Sequence, residues 1–234
     1  MIKIRPSAAR GHANHGWLDT YYTFSFSNYY DPKHMGFRDL RVINEDWISA
    51  NKGFGAHPHR DMEIITYIIE GELSHRDSTG TEATIKQNDV QRMSAGTGVV
   101  HSEFNKSDKP VHLLQIWIMP EADDLKPSYE DRTFSREEKQ NGLRLIASHD
   151  GRYNSTRINQ DASVYASLLD SGKTLDLSLE PGRHAWVQLV SGELEVNGTR
   201  LGKGDGAAIS DESKLTLASV GGNGAAEFLL FDLA

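Results

Sequence analysis

The hydrophobic pattern of the chain consists of short apolar runs that glycine and other turn-forming residues interrupt. Runs of this kind, rich in valine, isoleucine and aromatic residues, are typical of β-strands, and the 21 glycines favour many turns. The pattern therefore predicts an all-β fold. Between residues 57 and 120 the runs have the spacing of a barrel or sandwich, and the predicted strands are Met62–Ile69, Glu72–Arg76, Ala83–Lys86, Val90–Met93 and Val111–Met119.

Two further strands are predicted in the first 52 residues. The segment from residue 17 to residue 26 is rich in aromatic side chains, and its alternation places two sets on opposite sides of an extended strand. The second strand, Leu40–Asn44, is predicted to end in a turn at Asn44-Glu45-Asp46. The two sets of the first strand are Tyr21, Thr23 and Ser25 on one side and Tyr22, Phe24 and Phe26 on the other.

The second half of the chain repeats a pattern of the first. The segment from Tyr67 to Leu73 has a counterpart from Gln188 to Leu194, and each is predicted to be a strand, a glycine turn and the start of another strand. Two copies about 120 residues apart indicate one duplicated barrel rather than a solenoid, which needs at least about three repeats.

These two copies predict the domain boundaries. We expect one barrel over residues 1–122 and a second barrel over residues 143–234. The segment between them, residues 123–142, is polar and charged and is predicted to be a connector with a short helix near residues 135–140.

Composition and charge narrow the classes of ligand and partner. A net charge of −8 argues against direct binding of nucleic acid, because phosphate contacts need a concentrated basic surface. The chain has no cysteine, so nitrogen and oxygen atoms must hold any metal. No apolar segment has the length of a membrane span or a signal sequence, and we therefore expect no membrane contact and a cytoplasmic location.

The candidate chemistry lies in two short segments. His57, His59 and Glu63 have the same parity on an extended chain, as do His101 and Glu103 after a glycine-rich turn. Side chains of equal parity share one face of a strand. If the two strands are neighbours, these imidazoles and carboxylates converge as a divalent ion requires. A lone His-x-His is a weak signal, and the second His-x-Glu strengthens it.

Other candidates have ordinary structural explanations. We expect Arg60 and Asp61 to form a surface ion pair that contributes little to stability. An aromatic set could line a pocket for a flat substrate, although core packing is the expected role, and its members are Trp17, Phe24, Phe26, Tyr29 and Phe37. The remaining histidines are expected to be surface or core residues, and they are His12, His15, His34, His75, His112, His149 and His184.

The segments around the candidate ligands resemble the two motifs of the cupin superfamily. Residues 53–71 resemble the first motif, a His-x-His followed by glutamate and glycine, and residues 88–105 resemble the second, a glycine-rich turn followed by histidine and asparagine. Gly96 replaces the proline that is usual before the second turn. More narrowly, the chain resembles the pirin family in an ordered series of blocks, which are residues 24–32, 40–44, 53–59, 93–96 and 101–103.

The resemblance implies a bicupin, with two tandem antiparallel β-barrels and one divalent metal in the first. In ordinary cupins the glutamate of the first motif binds the metal, which would select Glu63. In pirins the residue two positions after the second-motif histidine does so, which implies the set His57, His59, His101 and Glu103. The resemblance also implies iron, Fe(II), whereas the ligand types alone suit Mn, Co, Ni, Cu or Zn as well.

The second copy lacks these residues. Alignment on the shared Gly-Glu-Leu places Ser178 and Glu180 at the positions of the two first-motif histidines, and His184 at the position of the first-motif glutamate. Leu217 and Ser219 replace the second-motif pair. The C-terminal barrel is therefore expected to be structural and to hold no metal.

Two functions follow from the resemblance. The first is that of a quercetin 2,3-dioxygenase, whose substrates are a flavonol and O2. The flavonol 3-hydroxyl binds the metal as an oxyanion, Glu103 or else Glu63 takes the proton, oxygen adds across the heterocycle and carbon monoxide is lost. The second is that of a non-catalytic regulator, whose metal site senses redox state and whose surface binds a protein partner. The same four ligands serve both functions.

Overall fold

The computed structural model describes residues 1–222 and 224–234, and strands dominate the described part of the chain. The strands of the first half are β1 (Ile2–Arg5), β2 (Gly11–Asn14), β3 (Leu18–Tyr22), β4 (Leu40–Ile48), β5 (Lys52–His59), β6 (Glu63–Glu70), β7 (Glu72–Asp77), β8 (Glu82–Lys86), β9 (Asp89–Ser94), β10 (Val99–Asn105) and β11 (Val111–Ile118).

One short α-helix and eleven strands follow in the described residues of the second half. They are β12 (Ser128–Thr133), α1 (Arg136–Lys139), β13 (Arg144–Ser148), β14 (Thr156–Arg157), β15 (Ala162–Leu169), β16 (Thr174–Ser178), β17 (His184–Ser191), β18 (Leu194–Val196), β19 (Thr199–Leu201), β20 (Gly206–Ile209), β21 (Lys214–Ser219) and β22 (Ala226–Leu233). The all-β prediction is confirmed. Within the described ranges, no helix has the length and apolar character needed to cross a bilayer.

The chain forms two compact units. The N-terminal unit contains Gly11–Thr133 and Thr156–Gln160, and the C-terminal unit contains Met1–Arg10, Phe134–Ser155 and Asp161–Ala234. The first ten residues thus belong to the C-terminal unit rather than to the predicted domain 1–122. The reason is that β1 pairs with β20 of that unit, a contact across about 200 residues that no local pattern reveals.

The predicted connector is partly structured. Helix α1 confirms the helix expected near residues 135–140, and Ser135 and Glu138 cap its first turn reciprocally through side chain and backbone. Strand β12 lies within the predicted connector and pairs with β9 of the N-terminal unit. Its polar sequence suits an edge strand, because one side of such a strand faces water.

The N-terminal unit consists of two antiparallel sheets. The larger sheet has the order β12-β9-β6-β11-β4-β3-β2, and the smaller has the order β5-β10-β7-β8. These are open sheets, so the predicted closed barrel is only an approximate description. Both sheets contribute to the apolar core between them, and its buried residues are Leu18, Ile48, Ile68, Leu73, Ile85, Val111 and Leu113.

The C-terminal unit repeats this arrangement. Its larger sheet contains the order β1-β20-β17-β22-β15-β13, and its smaller sheet has the order β16-β21-β18-β19. The duplication predicted from the sequence is therefore visible in the strand order of the two smaller sheets. The core of this unit includes Leu189, Leu194, Leu215, Leu217 and Phe228, which are fully buried.

The turn predicted at Asn44-Glu45-Asp46 is wrong. Strand β4 continues through these residues to Ile48, and all three polar side chains are buried. Glu45 faces His112, whose Nε2 lies 3.0 Å from its carboxylate, while Asn44 and Asp46 line a cavity. Three consecutive polar residues were interpreted as a turn because the sequence alone does not show that both faces of this strand have polar surroundings.

Candidate metal centre

A cavity of about 540 Å³ lies in the N-terminal unit. Both sheets of this unit contribute residues to its wall. The smaller sheet provides imidazole and carboxylate side chains, which are those of His57, His59, His101 and Glu103. The larger sheet provides aromatic and polar side chains, which include those of Trp117, Tyr22, Asn44, Asp46 and Gln115.

Three of the predicted ligands meet in this cavity. Strands β5 and β10 are neighbours, and His57 lies directly opposite His101 in their register, while His59 lies opposite Val99. The side-chain nitrogens of the three histidines lie within 4.8 Å of one another. The centroid of the His101 ring lies 4.4 Å from that of His57 and 4.8 Å from that of His59. The parity argument from the sequence therefore gives the correct relative positions of these three side chains.

Hydrogen bonds orient two of the rings. Nδ1 of His57 lies 2.8 Å from the carbonyl oxygen of Gly55 and donates its proton to it. This bond places a proton on Nδ1, so Nε2 is the ring nitrogen that is available to a metal. Nε2 of His57 and Nε2 of His101 then face each other at 2.9 Å. Ligands at right angles on an ion with bonds of about 2.1 Å stand about 3 Å apart, so this pair fits a shared divalent ion.

Burial keeps the imidazoles in the form that binds metal. Removal from water lowers the pKa of His59 to about 4 and that of His101 to about 3, and the neighbouring His57 lowers both further. Both rings are therefore neutral at neutral pH. Because a metal ion competes with protons for these nitrogens, low pKa values favour metal binding near pH 7.

Glu103 lies two residues after His101 on β10 and is 3% exposed. Its carboxylate accepts long hydrogen bonds of 3.3 and 3.4 Å from the side-chain amide of Gln115. Burial raises the pKa of Glu103 to about 7, the bond from Gln115 lowers it, and the nearby Asp46 raises it. A site with three imidazoles, one carboxylate and no thiolate suits a divalent transition metal.

The backbone brings Glu103 close to β5. The register of the two strands shifts between His101 and Glu103, so that Glu103 pairs with Phe54. Beside it, a Cβ atom on Gly53 would lie 2.2 Å from the carbonyl oxygen of Glu103. Only glycine permits this approach of the two strands, which explains why the ligand segment begins with a glycine.

The structure places Glu63 outside the wall of the cavity. Its neighbour Ile64 lines the cavity, whereas the Glu63 carboxylate accepts bonds of 2.6 and 2.7 Å from Ser94 Oγ and one of 3.0 Å from Asn159. Residues 60–62 leave the strand between His59 and Glu63, so parity does not extend across them. The shared face predicted for Glu63 and the two histidines is therefore wrong.

One histidine near the site was not singled out from the sequence. His75 on β7 is buried, and its Nδ1 lies 3.3 Å from Nδ1 of His101. Its Nε2 lies 2.9 Å from the carboxylate of Asp77. His75, His101 and Glu103 also have their ligand atoms within 4.8 Å of one another. The signal in the sequence was the same i, i+2 pairing, but the predicted strand ended at Arg76, whereas β7 extends to Asp77.

Comparison with known proteins finds family matches in both halves of the chain. Residues 3–118 match the family model described as Pirin, and residues 145–233 match the model described as the quercetinase C-terminal cupin domain. A protein of Escherichia coli K12 named quercetin 2,3-dioxygenase is 47% identical over 236 residues, which cover 100% of this chain and 99% of that protein. This chain belongs to the pirin family.

Other pirins match over their full length. A pirin-like protein of Caulobacter vibrioides is 38% identical, and the alignment covers 100% of both chains. The crystal structure of the bacterial pirin YhhW from Escherichia coli in complex with nickel(II) has a TM-score of 0.94 and 45% sequence identity, and it covers 100% of this chain and 99% of that one. This relative thus binds a divalent metal.

Aromatic side chains form much of the remaining wall in this pirin. The ring of Trp117 contacts both His59 and Phe26, each edge to face, with centroid distances of 4.9 Å and 5.2 Å. Trp17 meets Phe54 edge to face at 5.1 Å. Core packing was expected for the predicted aromatic set, but Trp17 and Phe26 line the cavity. The other members do not line it, and they are Phe24, Tyr29 and Phe37.

The departure at Gly96 has a structural reason in this pirin. The residue adopts φ of +43°, and a Cβ atom there would lie 1.8 Å from the carbonyl oxygen of Leu125. Its own carbonyl oxygen accepts a bond of 2.9 Å from the amide of Asp61. Asp61 also forms the predicted surface ion pair with Arg60, at 3.1 Å.

The second unit of this pirin has leucines where the first has histidines. Strand pairing places Leu217 opposite Leu175 and Leu215 opposite Leu177, in the sheet equivalent to that of β5 and β10. The alignment on Gly-Glu-Leu selected Ser178 and Glu180 instead, so it was shifted by about three residues. Leu217 is fully buried in the apolar core, which gives this position a packing role.

Proposed function

We propose that this pirin is a metal-dependent dioxygenase that opens the heterocycle of flavonols with O2 and releases carbon monoxide. The observation that carries the proposal is the meeting of three imidazoles and a buried glutamate side chain in one aromatic-walled cavity. The name of the relative at 47% identity supports the same activity.

In this proposal His57, His59, His101 and Glu103 hold one divalent ion in the N-terminal unit. Iron(II) is the proposed metal, and the donor set also accommodates the nickel(II) bound by the related YhhW. When bound, the ion acts as a Lewis acid that favours the ionised form of a coordinated hydroxyl group.

The cavity wall orients a flat substrate. Trp17, Phe26, Phe54 and Trp117 offer ring faces and edges that can pack against the fused rings of a flavonol. A volume of about 540 Å³ falls within the range of roughly 300–1,000 Å³ for small-molecule sites. The same side chains exclude bulk water, which strengthens electrostatic interactions at the reacting atoms.

Glu103 is the proposed proton acceptor for the flavonol 3-hydroxyl. It lines the cavity, and the amide of Gln115 holds its carboxylate toward the interior. Glu63 is the weaker candidate, because Ser94 and Asn159 already occupy its carboxylate outside the cavity wall. Glu63 then stabilises the strand that follows the first two histidines.

Oxygen uptake tests the proposal. Protein reconstituted with Fe(II), Mn, Co, Ni or Cu is given quercetin and, separately, a flavone that lacks the 3-hydroxyl. We expect uptake with quercetin and little with the flavone, because the flavone cannot provide the oxyanion that fixes the substrate. His101→Ala protein, which lacks one proposed ligand, is the matched control and should show none.

No uptake above the metal-free control, with every metal and flavonol, would end the enzyme proposal. The non-catalytic role would then be preferred, with the same ligands sensing redox state and the surface binding a protein partner. Elemental analysis accompanies the assay and should find about one ion per chain. Two ions per chain would contradict a site confined to the N-terminal unit.

A further inference from the structure

A row of polar side chains crosses the cavity wall beside Glu103. Asn44 and Asp46 lie two residues apart on β4 and line the same cavity, and they are 4% and 5% exposed. In the register, Asn44 lies between Tyr22 of β3 and Gln115 of β11. Thr20 lies opposite Asp46. This wall therefore combines polar groups with aromatic surface in the larger sheet.

The row contains polar atoms without partners. Among residues 1–222 and 224–234, Asn44 Oδ1 and Asp46 Oδ1 are buried and accept no hydrogen bond. By contrast, Gln115 accepts a bond of 3.2 Å from Thr66 and donates to Glu103. Each buried polar atom without a bond costs about 1–3 kcal/mol. Thr20 Oγ1 and Trp117 Nε1 line the same cavity and also have no hydrogen bond. These four atoms on the cavity wall point to a ligand that supplies their bonds.

Glu45 shows that a polar side chain of β4 that faces away from the cavity has a partner within the protein. Glu45, between them on β4, points to the opposite face and binds His112 at 3.0 Å in a buried pair. The fold thus provides a partner for the polar side chain that faces away from the cavity. The two side chains of β4 that face the cavity, by contrast, each have an oxygen atom without a hydrogen bond in the described chain.

We propose that Asn44 and Asp46 form a hydroxyl-binding subsite that selects phenolic ligands with hydroxyl groups beyond the one bound at the metal. This inference rests on the proposed flavonol substrate and names the groups that recognise it. A hydroxyl both donates and accepts, so it satisfies an amide oxygen and a carboxyl group alike. Anionic ligands are disfavoured, because the subsite lies beside the carboxyl groups of Asp46 and Glu103.

Selective binding tests the subsite. Quercetin and 3-hydroxyflavone share the 3-hydroxyl and the 4-carbonyl, and they differ in the remaining hydroxyls. Their dissociation constants are measured on nickel-loaded protein without O2, from the quenching of tryptophan fluorescence. The quantity compared is the ratio of the two constants in each variant, because this ratio removes effects common to both ligands.

We expect Asn44→Leu and Asp46→Leu each to reduce the preference for quercetin roughly tenfold, since each removes one bond to a buried hydroxyl. Asp46→Asn retains a polar side chain and should keep most of the preference. Ser74→Ala is the matched control. Ser74 is a buried polar residue of the same unit that binds Thr84 at 2.9 Å and does not line the cavity.

A preference that stays within twofold of the wild-type value in both leucine variants would overturn the subsite. If a leucine variant does not fold, the pair Asn44→Ala and Asp46→Ala decides instead, because alanine also removes the polar group, and no change in preference in the double variant overturns the proposal. Oxygen uptake without any change in preference supports the dioxygenase proposal and refutes the hydroxyl-binding subsite. A change in preference without oxygen uptake supports the subsite and refutes the dioxygenase proposal.

Discussion

Nδ1 of His75 lies 3.3 Å from Nδ1 of His101, and both rings are buried. Nε2 of His75 donates to the carboxylate of Asp77 at 2.9 Å. With a proton on Nε2 alone, Nδ1 of His75 accepts from Nδ1 of His101, and His101 then presents an unprotonated Nε2 toward His57. A carboxylate that orients a ligand imidazole is a common feature of metal sites, and here a second imidazole stands between the two.

Replacing His75 should weaken metal binding without removing a ligand of the proposed set. In His75→Phe the ring volume is retained, but His101 loses the acceptor that fixes its orientation. We expect nickel affinity to fall by about 10–100-fold, measured by competitive titration with a chelator of known affinity.

His112→Phe is the matched control for this substitution. It also replaces a buried histidine with phenylalanine and removes the imidazole that lies 3.0 Å from the Glu45 carboxylate. Both variants should lose stability, and only His75→Phe should lose metal affinity. Equal metal affinity in the two variants would contradict the orienting role of His75.

The two candidate glutamates should differ in their response to a neutral amide. We expect Glu103→Gln to lower metal affinity at least about tenfold, since it removes a carboxylate that lines the cavity. We expect Glu63→Gln to retain the metal, because that side chain lies outside the cavity wall and binds Ser94 and Asn159. Metal content after gel filtration checks both. The reverse result would assign the ligand role to Glu63, as in ordinary cupins.

The sequence was sufficient to predict the three histidines that meet, because spacing and strand parity are local properties. His57 and His101 pair because β5 and β10 are neighbours, and the glycines that allow this approach were visible in the sequence. Family resemblance was needed to choose between the glutamates. The parity of Glu63 was misleading, since parity is lost wherever the backbone leaves the strand.

Buried polar residues were the main source of error. Asn44, Glu45 and Asp46 were interpreted as a turn because such residues are usually exposed, and their burial depends on distant partners such as His112. His75 was overlooked for the same reason. The pairing of β1 with β20 likewise depends on residues about 200 positions away, beyond the reach of any local pattern.

Gly96→Ala should destabilise the protein strongly. The substitution places a methyl group against the carbonyl of Leu125 and at a positive φ, and we expect a loss of at least about 2 kcal/mol. Gly55→Ala is the control, because a Cβ atom at Gly55 meets no other atom within 4 Å. Urea denaturation should show a change within about 0.5 kcal/mol for Gly55→Ala. Similar losses in both variants would contradict this explanation of Gly96.

Asp46 should make the metal-free protein less stable as the pH rises from about 4 to about 7. Burial raises the pKa of this carboxyl from 3.8 to about 7, the nearby hydroxyl of Thr20 lowers it, and Glu45 raises it. In that window the folded state keeps a proton that the unfolded chain releases. The free energy of unfolding therefore falls with rising pH, and this contribution stops changing above the folded pKa.

The wild-type profile alone does not isolate this contribution. His59 and His101 have lowered pKa values, so their unfolded forms bind more protons, and they make the folded state more stable as the pH rises toward about 6.5. The two effects oppose each other. The informative quantity is the difference in unfolding free energy between Asp46→Asn and the wild type, measured by urea denaturation of metal-free protein at several pH values.

We expect that difference to grow in favour of Asp46→Asn by about 2–4 kcal/mol between pH 4 and pH 7. Asp176→Asn is the control with the opposite sign. Asp176 is exposed and its pKa is lowered by Lys214 and Thr216, so removing it should cost stability as the pH rises. A difference for Asp46→Asn that is constant across this range would mean that Asp46 is already ionised in the folded protein at pH 5. A buried carboxylate that is ionised at that pH needs a cationic or hydrogen-bonding partner within the protein. Asp46 Oδ1 would then already have a partner and would not be available to a ligand hydroxyl.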